Sequence, residues 1–304
     1  MRVIVTGAGG LLGGRLAVLL GRRAFDVLAL HRHTPPPPGL RHLVLEMTDT
    51  DALRRALDAE RPDALVHAAA LGRVEACEAR PGEADAVNSR LPGTLGRLCH
   101  ARGIRFVTLS TDLVFSGDRP SMREEDPPRP LSLYGRTKLL GEEAALAGCP
   151  SAAVVRVALV LGRGYGLRGT ASETVAWALG AGRPIRLFMD EYRSPVDAES
   201  VSEAVSRLLV RPSVAGRFHL GGPERLSRLE LGLRVARVLG LRAEWIVAGA
   251  QSDHDGPDRR AADVSLDSTR ARRELRWQPR PLDEVLREGR LAPEEDPGAS
   301  GYLA

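Results

Sequence analysis

The sequence predicts an α/β fold: a doubly wound parallel sheet followed by a smaller, interleaved C-terminal lobe. Three observations carry this. Short β-branched apolar runs alternate with amphipathic segments of helical period through the first half of the chain, the pattern of a parallel sheet covered on both faces. The strand runs are nearly uninterrupted in apolar residues, as burial on both sides requires. A glycine-rich turn follows the first strand at once and opens the first helix.

The elements follow in order. Residues 3–6 are a β-branched strand, 11–20 a helix with an apolar face, and 27–31 a second strand. The run Thr34-Pro35-Pro36-Pro37-Pro38-Gly39 forces a loop, because proline fixes φ and lacks an N–H. A third strand is expected at 43–47, a helix with capping residues at 48–60, a fourth strand at 64–69, a long helix over 81–101 and a fifth strand at 105–110. A helix runs from Tyr134 to about residue 147, and 152–161 reads as one more buried strand. The alternation then loosens: helix at 170–180, strand within 182–189, helix at 198–209, strand at 216–220, capped helix at 227–239 and an extended stretch at 259–266. The first domain is expected to span 1–160, completed by parts of 195–222, with the lobe mainly in 161–292 and a mobile tail at 293–304.

Composition narrows the class. A net charge of +4 over 304 residues offers no basic tail or face for nucleic acid. No stretch approaches the ~18 apolar residues of a membrane span, and the opening MRVIVTG reads as a strand, not a leader. Cys77, Cys99 and Cys149 are few and widely spaced, as expected of reduced thiols in a cytoplasmic protein. His31, His33 and His42 lack metal-ligand spacing with acidic or thiol partners and read as surface residues; no metal site is expected. Arginine supplies 42 of the 43 basic residues, and the single lysine is Lys138. Where charge alone matters arginine suffices, so the lysine that persists marks a place where a guanidinium fails.

The turn is Gly7-Ala8-Gly9-Gly10-Leu11-Leu12-Gly13. Gly7 permits the tight turn, Gly10 lets backbone approach a pyrophosphate, and Gly13 allows close helix–strand packing. The helix start at Leu11 and Leu12 offers free N–H groups and a positive dipole end. This is a Rossmann-type dinucleotide loop. At the end of the second strand stands Arg32 instead of an acidic residue, which favours a 2′-phosphate: NADP(H) is preferred, with NAD(H) possible.

The catalytic candidates are Thr111, Tyr134 and Lys138. Ser110-Thr111-Asp112 ends the fifth strand at the sheet's carboxyl edge, and Tyr134 and Lys138 lie one turn apart on one helical face. A free phenol titrates near ~10, and a neighbouring ammonium favours its ionised form, drawing it toward working pH.

The segments VTGAGGLLGGRL, LEMTD, HAAA, STDLVFSGD, REEDPPRPLSLYGRTKLLGEEA, VVRVALVLG, RFHLGG and RRAADVSLD, in this order from Met1 to about Leu291, resemble the extended short-chain dehydrogenase/reductases, and within them the dTDP-4-dehydrorhamnose reductases. The resemblance implies reduction of a 4-keto sugar nucleotide, with Glu46 and Met47 near the adenine, Ala68, Ala69 and Ala70 along the cofactor, and Thr111, Tyr134 and Lys138 as catalytic trio. It also implies a small-molecule, nucleotide-linked substrate, no membrane and a possible homodimer. Arg260 and Ser265 fall in a stretch resembling the one that closes over the sugar side. Arg193, in a segment (190–197) resembling the entry to the substrate lobe, joins Arg163, Arg168 and Arg260 as candidate diphosphate or carboxylate contacts. Leu113 and Leu159 stand where those reductases carry aromatics flanking the sugar. The run around Tyr134 also resembles the regulatory β subunit of methionine adenosyltransferase, an NADP-binding partner protein, which gives a second reading. A sugar epimerase with tightly held NAD shares the loop and the Tyr/Lys pair, but Arg32 argues against it.

Overall fold

The computed structural model describes residues 1–162, 169–253 and 260–288. Its central sheet is built from β1 (Arg2–Thr6), β2 (Asp26–His31), β3 (Arg41–Val44), β4 (Ala64–His67), β5 (Arg105–Thr111) and β6 (Ala153–Val157), with α1 (Leu11–Arg22), α2 (Thr50–Glu60), α3 (Val74–Ala79), α4 (Pro81–Ala84), α5 (Leu91–His100) and α6 (Leu133–Gly148) between them. The chain continues through β7 (Val160–Leu161), α7 (Ala171–Gly180), β8 (Ile185–Phe188), β9 (Tyr192–Arg193), β10 (Val196–Asp197), α8 (Ala198–Leu209), β11 (Gly216–Leu220), β12 (Leu226–Ser227), α9 (Arg228–Leu239), β13 (Ile246–Gly249), α10 (Thr269–Leu275) and α11 (Leu282–Glu288).

Seven strands form the sheet in the order β11-β6-β5-β4-β1-β2-β3, every neighbouring pair parallel. The order reverses on either side of β1, and the carboxyl edge at such a switch point is where ligands bind in open α/β sheets. One face packs on α1 and α8 through Leu16, Leu20, Val201 and Val205. The other packs on α2, α5 and α6 through Leu53, Leu57, Leu95 and Ala145. A separate apolar cluster around Val175, Leu187, Val235 and Leu286 holds the C-terminal lobe. Among the described residues no helix is long and apolar enough to cross a membrane.

The differences from the sequence expectations have physical causes. The third strand is Arg41–Val44, two residues earlier than expected, and every residue in it is exposed. It is an edge strand, so its signal is not apolar; Leu45 and Met47, which suggested a strand, lie beyond it and pack with α2. The expected helix over 81–101 is three pieces, with a π-helical turn at Asp85–Arg90 between α4 and α5. The expected strand 152–161 ends at Val157 and resumes as β7, which pairs with β10 outside the central sheet. Residues 260–266 make only isolated bridges, at Asp263 and Leu266. The short helices α3, α10 and α11 and the strand β13 lack a long periodic signature and were not expected. The tail 293–304, Arg163 and Arg168 lie outside the described residues.

Two buried histidines make the fold acid-sensitive. His67 on β4 and His219 on β11 are both held neutral, at about 3, by burial and then by neighbouring cations, Lys138 and Arg156 respectively. The unfolded chain binds these protons near ~6.5 and the folded chain does not, so stability falls as pH drops below that value. Each residue contributes about 1 kcal/mol per pH unit in this window. Urea titrations at pH 7 and pH 5 are expected to differ by roughly 4 kcal/mol; equal unfolding free energies would contradict the neutral assignment.

Candidate active site

A cavity of about 840 Å3 opens along the carboxyl edge of the sheet, toward the upper end of the usual range for ligand sites, about 300–1,000 Å3. Its floor is the turn between β1 and α1. Gly7 has φ +68°, and a Cβ there would lie 2.6 Å from Ala69 Cα; at Gly13 a Cβ would lie 2.3 Å from the Gly7 carbonyl oxygen. The turn is therefore as tight as the glycine pattern demands. α1 starts at Leu11 with no side-chain cap and no acidic residue in its first turn, and Gly7, Gly10, Leu11, Leu12 and Gly13 all line the cavity. An uncapped helix start with its N–H groups toward a cavity fits an anionic ligand such as a pyrophosphate. Substituting Gly13→Ala is expected to weaken dinucleotide binding at least ~10-fold, because the new methyl group must push the turn open. Fluorescence titration with NADPH, beside a thermal melt, separates this from unfolding; unchanged affinity would contradict it.

The wall beside the turn is the segment Ala68-Ala69-Ala70. Thr6 Oγ1 lies within hydrogen-bond range of the amides of Ala68 and Ala69, at 3.2 and 3.3 Å, and of His67 Nδ1 at 2.8 Å. With the hydroxyl accepting from both amides, its own proton goes to Nδ1, so the imidazole proton sits on Nε2. Asn88, in the π-helical turn, accepts from the Leu71 amide at 2.9 Å and donates to Leu71 O and Thr137 Oγ1, at 3.1 and 3.2 Å, tying this wall to α6.

Arg32, Glu46 and Met47 line the same cavity. Arg32 is ion-paired with Glu46 at 3.6 Å and with Glu83 at 3.1 Å. His31 is a correction to the surface reading: it is buried, with Nε2 3.1 Å from His42 Nδ1. Burial, then His42, lowers its pKa. His33 and His42 are exposed.

Thr111, Tyr134 and Lys138 line the cavity together. Ser132 caps α6 by accepting from the Gly135 amide at 3.1 Å. A Cβ on Gly135 would lie 2.2 Å from Leu113 O, so the glycine lets the helix start close to the end of β5. Lys138 is buried and donates from Nζ to Leu109 O at 2.8 Å. Burial lowers its pKa to about 8, with Glu142, one turn further on, opposing the shift. Thr111 donates to Asp112 Oδ1 at 3.1 Å and accepts from the Leu113 amide at 3.2 Å.

Beneath this pair lies a buried charged network that a motif reading passes over. Glu142 accepts from Ser110 Oγ at 2.6 Å, from Arg156 at 2.7–3.2 Å and from Arg217 at 3.1 Å. Burial alone would raise the Glu142 carboxyl; hydrogen bonds from Arg156 and Ser110 outweigh it and hold it low. Glu142 sits four residues after Lys138, so the spacing that pairs Tyr134 with Lys138 also points to it.

At the lobe end, Glu191 is buried beneath Arg193, Arg228 and Arg260, at 3.1, 3.6 and 2.7 Å. Burial opposes ionisation, but these guanidiniums overcome it and lower the carboxyl to about 2. Arg193 also approaches Asp112 at 3.7 Å; Asp112 is raised by burial, with Arg193 opposing. Arg193 and Arg260 line the cavity, as do Leu113 and Leu159. Ser265 is buried outside that lining, donating to Asp263 Oδ1 at 2.6 Å and accepting from the Ser121 amide at 2.9 Å. No local pattern marked Glu191, Arg228 or Asp112, because most of the charges that meet there (Arg228 and Arg260 on Glu191, Arg193 on Asp112) come from distant parts of the chain.

A dinucleotide turn at the sheet's switch point and a Tyr/Lys pair on the same cavity define a Rossmann-type, nicotinamide-dependent oxidoreductase. The chain belongs to the family described as the RmlD substrate binding domain, whose model matches residues 1–289. A probable low-salt glycan biosynthesis reductase, Agl14, of Haloferax volcanii is 32% identical over 293 residues, 94% of this chain and 96% of that protein. The methionine adenosyltransferase 2 subunit beta of Pongo abelii is 30% identical over 246 residues, 79% of this chain and 72% of that protein. The crystal structure of a hypothetical dTDP-4-dehydrorhamnose reductase from Sulfolobus tokodaii superposes with a TM-score of 0.81 at 31% identity, covering 91% of this chain and 96% of that one. MoeE5 in complex with UDP-glucose and NAD superposes with a TM-score of 0.77 at 27% identity, covering 94% and 96%.

Proposed function

We propose that the chain reduces the 4-keto group of a nucleotide-linked sugar with NADPH, in the manner of the dTDP-4-dehydrorhamnose reductases. One observation carries the reading: Tyr134 and Lys138, more than a hundred residues from the glycine turn, line the same cavity as Gly7–Gly13. The turn and the N–H groups of Leu11 and Leu12 hold the pyrophosphate, Glu46, Met47 and Arg32 the adenosine end, and Ala68–Ala70 the path between them. The nicotinamide, when bound, supplies a hydride to the ketone carbon.

Tyr134 delivers its hydroxyl proton to the ketone oxygen as that oxygen gains charge. Lys138, held by the Leu109 carbonyl, places an ammonium beside the phenol and compensates the phenolate left behind. Thr111 turns its hydroxyl proton from Asp112 to the ketone oxygen, at the loss of one ordinary hydrogen bond. Arg193, Arg228 and Arg260, three guanidiniums around Glu191 and Asp112, make the lobe end favourable for a diphosphate.

The test is turnover. Purified protein, NADPH and a panel of 4-keto sugar nucleotides are expected to show loss of the reduced nicotinamide absorbance with at least one member. Leu113 and Leu159 at the cavity wall, and the methionine adenosyltransferase 2 subunit beta likeness, favour a second reading: an NADP-loaded regulatory subunit without turnover. A silent panel together with a stable protein complex in gel filtration would support that reading and contradict the first.

A further inference from the structure

The adenosine end of the cavity is not a simple cationic socket. Arg32 Nη2 lies 3.1 Å from Glu83 Oε1, and the other oxygen of Glu83 accepts from Arg80 Nη1 at 2.7 Å. Arg32, Glu46, Arg80 and Glu83 all line the cavity. Glu46 is tied down by the amide and hydroxyl of Thr48, at 3.2 and 3.0 Å. Glu83, on the single-turn α4 and more than fifty residues from Arg32 in sequence, meets it only through the fold.

The two dinucleotides differ here by one group. A 2′-phosphate brings up to two negative charges and hydrogen-bonds best to a guanidinium edge. A 2′-hydroxyl is neutral and needs no such edge. Binding the phosphorylated form means displacing the Glu83 carboxylate from Arg32 or tolerating it beside the phosphate; the unphosphorylated form leaves the pair intact. The cost falls on one cofactor only. Arg80, now paired to Glu83, is a second cation on the same wall once that carboxylate is neutralised.

We propose that Glu83 is a specificity-determining residue for the cofactor: its carboxylate occupies the guanidinium edge of Arg32 that a 2′-phosphate would take, holding down preference for NADP(H) and letting NAD(H) compete. The inference rests on the dinucleotide reading of this cavity.

Calorimetric titration of NADP+ and NAD+ into the full chain tests it, with Glu83→Gln, Arg32→Gln and the double variant. Glu83→Gln is expected to raise the NADP+ to NAD+ affinity ratio about five- to tenfold, with a smaller gain in high salt. Arg32→Gln is expected to lower the ratio, and adding Glu83→Gln to it to give little further change, since Glu83 acts through Arg32. A ratio that stays put or falls in Glu83→Gln overturns the proposal, as does an equal gain in the Arg32→Gln background, which would mean bare repulsion of the phosphate. If the unsubstituted protein binds neither dinucleotide, the cavity reading itself fails, an outcome separate from an unmoved ratio.

Discussion

Replacing Tyr134 with phenylalanine is expected to lower kcat/KM for a keto-sugar nucleotide by about 10²–10⁴-fold, the usual worth of a positioned proton donor. The ring still packs in the cavity and only the phenolic proton is lost, so NADPH affinity is expected to change little. The pH profile gives an independent check. Lys138 carries its charge below its pKa of about 8 and loses it above. Support for the departing proton therefore fades as pH rises, and kcat/KM is expected to fall on an alkaline limb near pH 8, an apparent value belonging to the coupled pair. Arginine at 138 is not expected to rescue this function: a guanidinium is larger, planar and charged at every relevant pH. A Tyr134→Phe protein with unaltered kcat/KM would show that the proton comes from elsewhere.

The largest stability effect is expected at Glu142. The Glu142 and Arg156 side chains are each only 1% exposed, and Arg217, on β11, reaches the same carboxylate at 3.1 Å. Glu142→Ala removes the anion and leaves Arg156 buried against neutral groups, His219 Nε2 at 3.3 Å and the Phe115 ring at 5.0 Å. Breaking a buried pair in this way costs about 3–5 kcal/mol, a large fraction of the stability of most domains. Removing both charges, as Glu142→Leu with Arg156→Met, is expected to recover much of that loss, because the buried guanidinium that lost its carboxylate is then gone as well. Chemical denaturation of the single and double variants checks both statements; a single variant within about 0.5 kcal/mol of the parent would contradict the first.

The contrast between these two sites explains what the sequence could reveal. The glycine turn and the Tyr134/Lys138 pair are local: spacing along one turn or one helix face fixes their geometry, so their arrangement is readable in the chain. The sheet is legible because its inner strands carry continuous apolar runs, whereas the edge strand Arg41–Val44, wholly exposed, carries no such run to mark its start. The Ser110–Glu142–Arg156–Arg217 network, and Arg228 and Arg260 on Glu191, join residues far apart in sequence. In a chain with 42 arginines, no single one announces its partner. Arg32 illustrates the middle case: its position was readable, but its pairing with Glu83 was not, and that pairing changes what it means for cofactor choice.

The central claim is that this cavity aims a nicotinamide at a sugar ketone beside Tyr134. A single-turnover reaction with NADPH deuterated at the transferred position of nicotinamide C4 tests it most directly. The account predicts deuterium on C4 of the reduced sugar nucleotide, at a rate cut by about 10²–10⁴-fold in Tyr134→Phe. Bound, unoxidised NADPH and a sugar recovered without label, across the whole panel of 4-keto nucleotides, would contradict it.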